Sequence, residues 1–350
     1  MTQAPASWRS TQPRTVRSSR SSLGFTLIEL MVALVLGLIV IGGVISIFLA
    51  NQQSYRTNMA LSDVQNGSRI AFEVMTRDIR QAGLTGCDNS GRVANVLNNS
   101  SSNWWSNWNN AVMGYDSSMT DPALTGLTAG TQVTGTDSLE LLGVGNSGLS
   151  VASDQEPAAN FKLNETTSDL QAGDVIIVCD PDHAVILQIS DYNNSNVTLV
   201  HNTGGSITPG NCSKGLGYPT ACTTTGTNYQ YGPNSQIAKL SAADWYIGTN
   251  PLGGSSLYRL SVTNVGGAFG PPATPQEMVR NVASMAIAYH ESSGANSAKF
   301  VKASSVVDWS KVDAVQVTLT LKSTDQRAGT NAKPISRTFT ATTTVRNRVS

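Results

Sequence analysis

The stretch GFTLIELMVALVLGLIVIGGVISIFLA, residues 24–50, decides the architecture of this chain. Its last 21 residues, from Leu30 to Ala50, carry no charge, and at ~1.5 Å per residue they are long enough for a membrane-spanning helix. One carboxylate, Glu29, stands at the leading edge of this run. An acidic side chain in hydrocarbon costs on the order of 3 kcal/mol, so Glu29 is a candidate functional residue. The alternative is a plain anchor in which Glu29 reaches back to the lipid headgroups.

Residues 1–24 read as a basic leader, because they contain no acid and four arginines: Arg9, Arg14, Arg17 and Arg20. Positive charge keeps this side of the helix in the cytoplasm, so the chain after Ala50 is expected in the periplasm, anchored in the inner membrane. A secretory signal peptide would be cut after its apolar segment, whereas the small residue Gly24 lies before it. Cutting at Gly24 would therefore remove the leader and leave the apolar helix on the product.

The motif GFTLIE, residues 24–29, resembles the signature of the type IV pilin superfamily. That resemblance implies cleavage between Gly24 and Phe25 by a prepilin peptidase and methylation of the new Phe25 amine. Once the leader is gone, the cationic amine of one subunit can pair with Glu29 of a neighbour inside an apolar filament core, where an unpaired charge is costly. Glu29 is therefore predicted to act in subunit assembly.

The apolar helix is predicted to continue as an amphipathic helix. Apolar residues recur at three- and four-residue spacing, with charged residues mostly between them: Leu61, Val64, Ala71, Phe72, Met75 and Ile79. Gly83 is a stop signal, so the helix is expected over 25–82, roughly 85 Å long. Residues 25–50 would be its transmembrane half and residues 51–83 an amphipathic half that packs on a globular head.

Three glycines lower the helix propensity of the anchor: Gly37, Gly42 and Gly43. The pilin resemblance implies that such a segment unwinds locally when it packs into a filament. A close helix–helix contact explains the same glycines equally well.

The head, residues 84–350, is predicted to be a β-rich domain, giving an α+β, pilin-like fold with an antiparallel sheet packed on the helix. Residues 312–322 show the clearest period-two pattern and, with 336–346, are expected to be the longest strands. The Asn/Ser/Gly-rich segment 88–132 is expected to be a surface excursion. Further strands are predicted at 138–144, 174–179, 184–190, 196–201, 244–248 and 256–263.

Several blocks of the head resemble the PilW family of minor pilins: residues 69–87, 173–180, 256–260, 277–290, 306–323 and the closing TTTVRNR at 342–348. The resemblance implies a subunit that initiates pilus assembly and resides at the pilus tip. Its partners would be other minor pilins, the major pilin and a PilY-type adhesin. Three alternatives remain: a J-type pseudopilin of a type II secretion system, a DNA-uptake or adhesive pilin, and a secreted hydrolase with a pilin-like anchor.

The cysteines indicate an exported, oxidised head. Four lie beyond the apolar segment, which suggests two disulfides with three possible connectivities: Cys87, Cys179, Cys212 and Cys222. The favoured pairs are Cys212–Cys222, which closes the loop NCSKGLGYPTAC, and Cys87–Cys179, which ties the helix end to a strand. Free buried thiols are the alternative. A zinc site is disfavoured, because the chain has no C-x-x-C pair and its three histidines, His183, His201 and His290, are scattered.

No catalytic motif or cofactor site is recognisable, and neither a metal site nor enzymatic activity is predicted. Residues 179–183 gather two acids and His183, which a tight turn explains as well as an acid/base or metal site does. The tryptophans at 104, 105 and 108 indicate either an interaction loop or a loop pinned to the head. The chain has 23 basic and 23 acidic residues, and removing the leader arginines leaves 19 against 23, a net charge of −4. This acidic balance argues against a nucleic-acid partner.

Overall fold

The computed structural model describes residues 24–87, 91–145, 148–272 and 274–346. The predicted leader, up to residue 23, lies outside them. The chain divides into an N-terminal unit that ends at Tyr55 and a second unit that begins at Arg56. The predicted α+β fold is confirmed: one long N-terminal helix is followed by a large, mostly antiparallel β head.

The helix, α1, runs from Leu27 to Gln81, close to the predicted span. Its part within the N-terminal unit is long and apolar enough to cross a membrane. The large apolar side chains of this part are exposed, for example Ile28, Leu38 and Phe48. Within the N-terminal unit, nothing in the described residues covers this apolar surface.

In the second unit, α1 buries one stripe of residues at helical spacing: Ala60, Val64, Ser68, Ala71, Met75 and Ile79. The helix ends as predicted, because Gly83 adopts a left-handed backbone with φ of 74°. The N–H of Gly83 donates a hydrogen bond of 2.7 Å to the carbonyl of Leu142. A side chain at Gly143 would place its Cβ 2.5 Å from the Gln81 carbonyl oxygen, so glycine permits the close approach of helix and strand.

Among the described residues of the head, nine short strands come first: β1 (Val93–Asn95), β2 (Val112–Tyr115), β3 (Ser138–Val144), β4 (Leu149–Gln155), β5 (Asn160–Leu163), β6 (Val175–Cys179), β7 (Ala184–Gln188), β8 (Asp191–Asn193) and β9 (Thr198–Val200). Eight more follow: β10 (Gln236–Thr249), β11 (Ser255–Ser261), β12 (Thr263–Val265), β13 (Ala268–Gly270), β14 (Gln276–Arg280), β15 (Val282–Glu291), β16 (Val312–Lys322) and β17 (Ser336–Thr344). Short 3-10 turns lie at Trp104–Ser106, Trp108–Asn110, Pro122–Leu124, Asn194–Asn196, Ala303–Ser305 and Trp309–Lys311.

The strand β10 organises the main sheet. Its first residues pair with β4 and β6, and its later residues pair with β3 and β11. Strands β5, β9 and β8 extend the β4 side, while β7 and β1 extend the β6 side, β1 in parallel. Strands β15, β16 and β17 form a separate antiparallel sheet, and β12 and β13 form a small ribbon.

The buried stripe of α1 packs into the largest apolar core, which it shares with β3, β10, β11, β15 and β16. A polar anchor lies beside it: Asp78 accepts hydrogen bonds from the Trp245 indole at 3.0 Å and from the Arg259 guanidinium at 2.9 Å. The second half of α1 is therefore part of the core of the head, because it supplies one wall of that core.

Two expectations about the head are wrong. The first is that residues 312–322 and 336–346 form the two longest strands. The longest is β10, with 14 residues, which includes the predicted strand 244–248. With nine residues, β17 is also shorter than the ten-residue β15. Segment 88–132 is not simply a surface excursion, since it contains β1 and β2 and contributes Val112 and Trp105 to buried clusters. Its Asn- and Ser-rich composition is typical of loops, but short apolar pieces within it pair with sheet strands.

Candidate processing and assembly site

The first turn of α1 is fixed by Thr26. The Thr26 carbonyl accepts from the Leu30 N–H at 3.1 Å, and its hydroxyl accepts from the Glu29 N–H at 3.3 Å. Thr26 is therefore the N-cap and Glu29 the third helical residue, the spacing of a capping box. A carboxylate at this position also faces the positive end of the helix dipole. Its position therefore offers a second explanation for Glu29, helix capping, beside the predicted assembly role.

The predicted cleavage junction lies outside the helix. Gly24 and Phe25 have no regular secondary structure, and both are exposed. A Cβ built on Gly24 would meet nothing within 4 Å, and the Phe25 side chain is 84% exposed. The backbone between these residues is accessible, as a peptidase that binds an extended substrate requires.

Glu29 lies on one face of the helix together with apolar residues spaced about one turn apart: Phe25, Ala33, Gly37 and Ile41. The carboxylate is therefore the polar group of an otherwise apolar surface. Cβ atoms built on the three anchor glycines would also meet nothing within 4 Å. These glycines make no close packing contact within the described part of the N-terminal unit. Both interpretations of them, local unwinding in a filament and close contact with another helix, therefore remain open.

The structure contains two disulfides, with the pairing favoured from the sequence. The helix-end disulfide, Cys87–Cys179, joins the segment after α1 to β6 with a Cα–Cα distance of 5.8 Å. The loop disulfide, Cys212–Cys222, closes a loop with a Cα–Cα distance of 5.0 Å. The described residues contain no free cysteine.

The acid- and His-containing segment after Cys179 is a turn between β6 and β7. Asp180 Oδ1 accepts from the backbone N–H groups of Asp182 and His183 at 2.9 and 2.8 Å, the geometry of an Asx turn. Asp180 Oδ2 accepts from the Tyr229 hydroxyl at 2.7 Å. Burial and this hydrogen bond raise the pKa of Tyr229 above its usual range. Asp182 contacts His183 and Arg92. These partners account for the turn without a catalytic role.

The tryptophan-rich segment packs on the head. Trp105 is buried and its ring meets Phe269 edge-on at 5.2 Å, while Trp104 and Trp108 are partly buried against the same cluster. This packing favours the interpretation that the tryptophans pin the loop to the head.

This combination of fold and motif defines a pilin-like class of protein, in which an exposed apolar helix with an acidic residue in its first turn leads into a β-rich head. Two family models match the chain: the prokaryotic N-terminal methylation motif over residues 19–45, and type IV pilus-assembly protein W (PilW) over residues 220–348. Together these two partial matches support a PilW-like minor pilin of the type IV pilus. PilW is a family of structural pilus components rather than a known enzyme family. No curated protein and no solved structure matches the chain.

Thr26 was missed as a functional residue by sequence reasoning. The signal was present, since Thr followed three residues later by Glu before an apolar run is a helix-start pattern.

Proposed function

We propose that the chain is a minor pilin that prepilin peptidase cuts between Gly24 and Phe25, with methylation of the Phe25 amine. Its head lies in the periplasm while the anchor is in the inner membrane, and assembly carries it to the extracellular pilus tip. There it joins other minor pilins to initiate the filament, contacts the major pilin and carries a PilY-type adhesin.

The observation that carries this proposal is the exposed apolar face formed by residues 25–41, in which Glu29 is the charged group. An apolar surface of this extent must be covered by lipid or by neighbouring subunits. In lipid a carboxylate gains nothing, whereas between subunits it can bind the cationic Phe25 amine that cleavage creates. Attraction of this kind selects the register in which a subunit enters the filament.

The capping box supplies a competing explanation for Glu29, and the two roles can be separated. Glutamine serves as well as glutamate at the third helical position of a capping box, but it has no charge. Glu29→Gln therefore removes the pairing and preserves the cap. Thr26→Ala removes the cap, at about 1 kcal/mol of helix stability, and preserves the carboxylate.

We expect Glu29→Gln and Glu29→Leu to be exported and cleaved, and to be absent from sheared pili, with piliation reduced to the level of a deletion strain. Thr26→Ala should remain in sheared pili. Glu73→Gln, which changes an exposed acid on the same helix, is the matched control and should behave as wild type. Immunoblots of membrane and sheared-pilus fractions measure all four variants.

Incorporation of Glu29→Gln at wild-type level would show that the charge is incidental. Loss of Thr26→Ala together with retention of Glu29→Gln would assign the motif to helix capping alone.

A further inference from the structure

Three side chains that the pilin function does not use converge inside the head: Asp154, Glu156 and His201. Asp154 lies near the end of β4, Glu156 in the turn that follows it, and His201 directly after β9. One ligand atom from each lies within 4.8 Å of those of the other two.

Each of the three side chains has at least one buried polar atom without a hydrogen-bond partner among the described residues. His201 is 0% exposed, and neither of its ring nitrogens has a hydrogen-bond partner among the described residues. Asp154 is 5% exposed, and its Oδ1 is also without a partner in the described part of the chain, as is Oε1 of Glu156. Buried polar groups are nearly always satisfied, so unpartnered polar atoms on three neighbouring side chains call for a bound group.

The backbone holds these residues in place. The His201 N–H donates to the Ala159 carbonyl at 3.0 Å, which fixes the end of β9 against the β4–β5 turn. Asp154 Oδ2 accepts from the Tyr231 N–H at 2.9 Å, which orients the carboxylate and leaves Oδ1 available. The His201 ring packs on Phe161 with centroids 4.9 Å apart. The fold therefore holds His201 and Asp154 in place.

The donor set decides the class of ligand. One imidazole nitrogen and two carboxylates suit a first-row divalent ion such as Zn²⁺, whereas Ca²⁺ prefers oxygen donors alone. Donor atoms around a tetrahedral zinc ion lie roughly 3.4 Å apart, so small side-chain rotations would close the group on the metal. We propose that Asp154, Glu156 and His201 form a zinc-class metal site that fastens the β4–β5 turn to the end of β9.

Lys214 offers the competing explanation. It lies close enough to interact electrostatically with Glu156 and His201 and belongs to the loop closed by the loop disulfide. Its ammonium could neutralise Glu156 in place of a metal. Even if the ammonium also donated to the acceptor nitrogen of the neutral His201 ring, the N–H on the other ring nitrogen would still need an acceptor.

The test uses the full-length protein without a histidine tag, purified in detergent and stripped with a chelator. Zn²⁺ and, separately, Ca²⁺ are titrated by calorimetry, and the unfolding midpoint is measured with and without each ion. The chain has only three histidines, so ¹⁵N-histidine labelling can resolve each ring. His183→Gln and His290→Gln variants assign the spectrum, and His183→Gln also serves as a matched control, because its ring lies beside an acid elsewhere in the head.

We expect about one equivalent of Zn²⁺ per chain, a higher unfolding midpoint with Zn²⁺, and a coordination shift confined to the His201 ring. Glu156→Gln and Asp154→Asn should each weaken binding by about tenfold or more, and His183→Gln should bind as wild type. The shift of the His201 ring is measured on protein in which Asp154, Glu156 and His201 are all intact. The proposal therefore remains testable if a variant of one of these residues fails to fold. Absence of saturable Zn²⁺ binding, a shift at His183 or His290 in place of His201, or tighter binding of Ca²⁺ than of Zn²⁺ would overturn it.

Discussion

Replacing Glu140 by glutamine should stabilise the head, and the gain should grow as the pH rises. Glu140 lies on β3 directly opposite Asp244 of β10, and the two are 3% and 0% exposed. A third buried carboxyl, that of Asp121, interacts with the Glu140 carboxyl. Burial and the nearby Asp121 raise the pKa of Glu140 from its ordinary value of 4.5 to about 9. Like charges opposite each other on neighbouring strands are destabilising, so the carboxyl stays protonated in the folded head.

The sign of the pH dependence follows from this shift. Below pH 4.5 the residue is protonated in both folded and unfolded chains and costs nothing. As the pH rises, the unfolded chain loses the proton while the folded chain keeps it, so stability falls until the pH reaches the folded pKa of about 9. At about 1.4 kcal/mol per pKa unit, the loss is on the order of 3 kcal/mol at pH 7 and under about 1 kcal/mol at pH 5.

Urea unfolding of the full-length protein at several pH values between 5 and 8 measures the effect as the difference in free energy of unfolding between Glu140→Gln and wild type. The difference should increase with pH by about 1.4 kcal/mol per unit, and the exposed Glu73→Gln variant should show no such trend. A difference that is the same at pH 5 and pH 8 would refute the reasoning, because the variant would then act only through packing or hydrogen bonding.

Two further predictions concern the core and the disulfides. Met75 on α1 is 1% exposed, so Met75→Ala should lower the free energy of unfolding by about 2–5 kcal/mol. Met59 is half-exposed on the same helix, so Met59→Ala should change it by less than about 0.5 kcal/mol. Equal effects of the two substitutions in a denaturant titration would contradict the packing described. Removing the helix-end disulfide, whose cysteines are 92 residues apart, should cost about 4.7 kcal/mol by chain entropy, and removing the loop disulfide, with a separation of 10, about 2.8 kcal/mol. The reverse order in non-reducing urea unfolding of the two double-alanine variants would count against that account.

The strongly periodic parts of the chain were predictable from sequence. The alternation of residues 312–322 gave β16 with its observed bounds, and the three- and four-residue spacing gave the buried stripe of α1. Gly83 marked the helix end because a left-handed backbone favours glycine. In each case the pattern of one segment determines its own structure.

The parts that depend on distant contacts were not predictable. In β10, Lys239, Ser241 and Asp244 interrupt the apolar pattern, yet pairing with strands on both sides holds the whole segment extended. Likewise, Asp154 and His201 meet only because β5 pairs with both β4 and β9. No local pattern marks these residues, since their proximity is a property of the sheet.

Mass spectrometry of protein recovered from sheared pili tests the central claim, that this chain is a pilin assembled through its N-terminal segment. We predict a chain that begins at Phe25 with a methylated amine, and for Gly24→Leu a precursor that keeps its leader and stays in the inner membrane. A mature N-terminus after residue 50, or a wild-type chain found only in the membrane with its leader intact, would contradict the account.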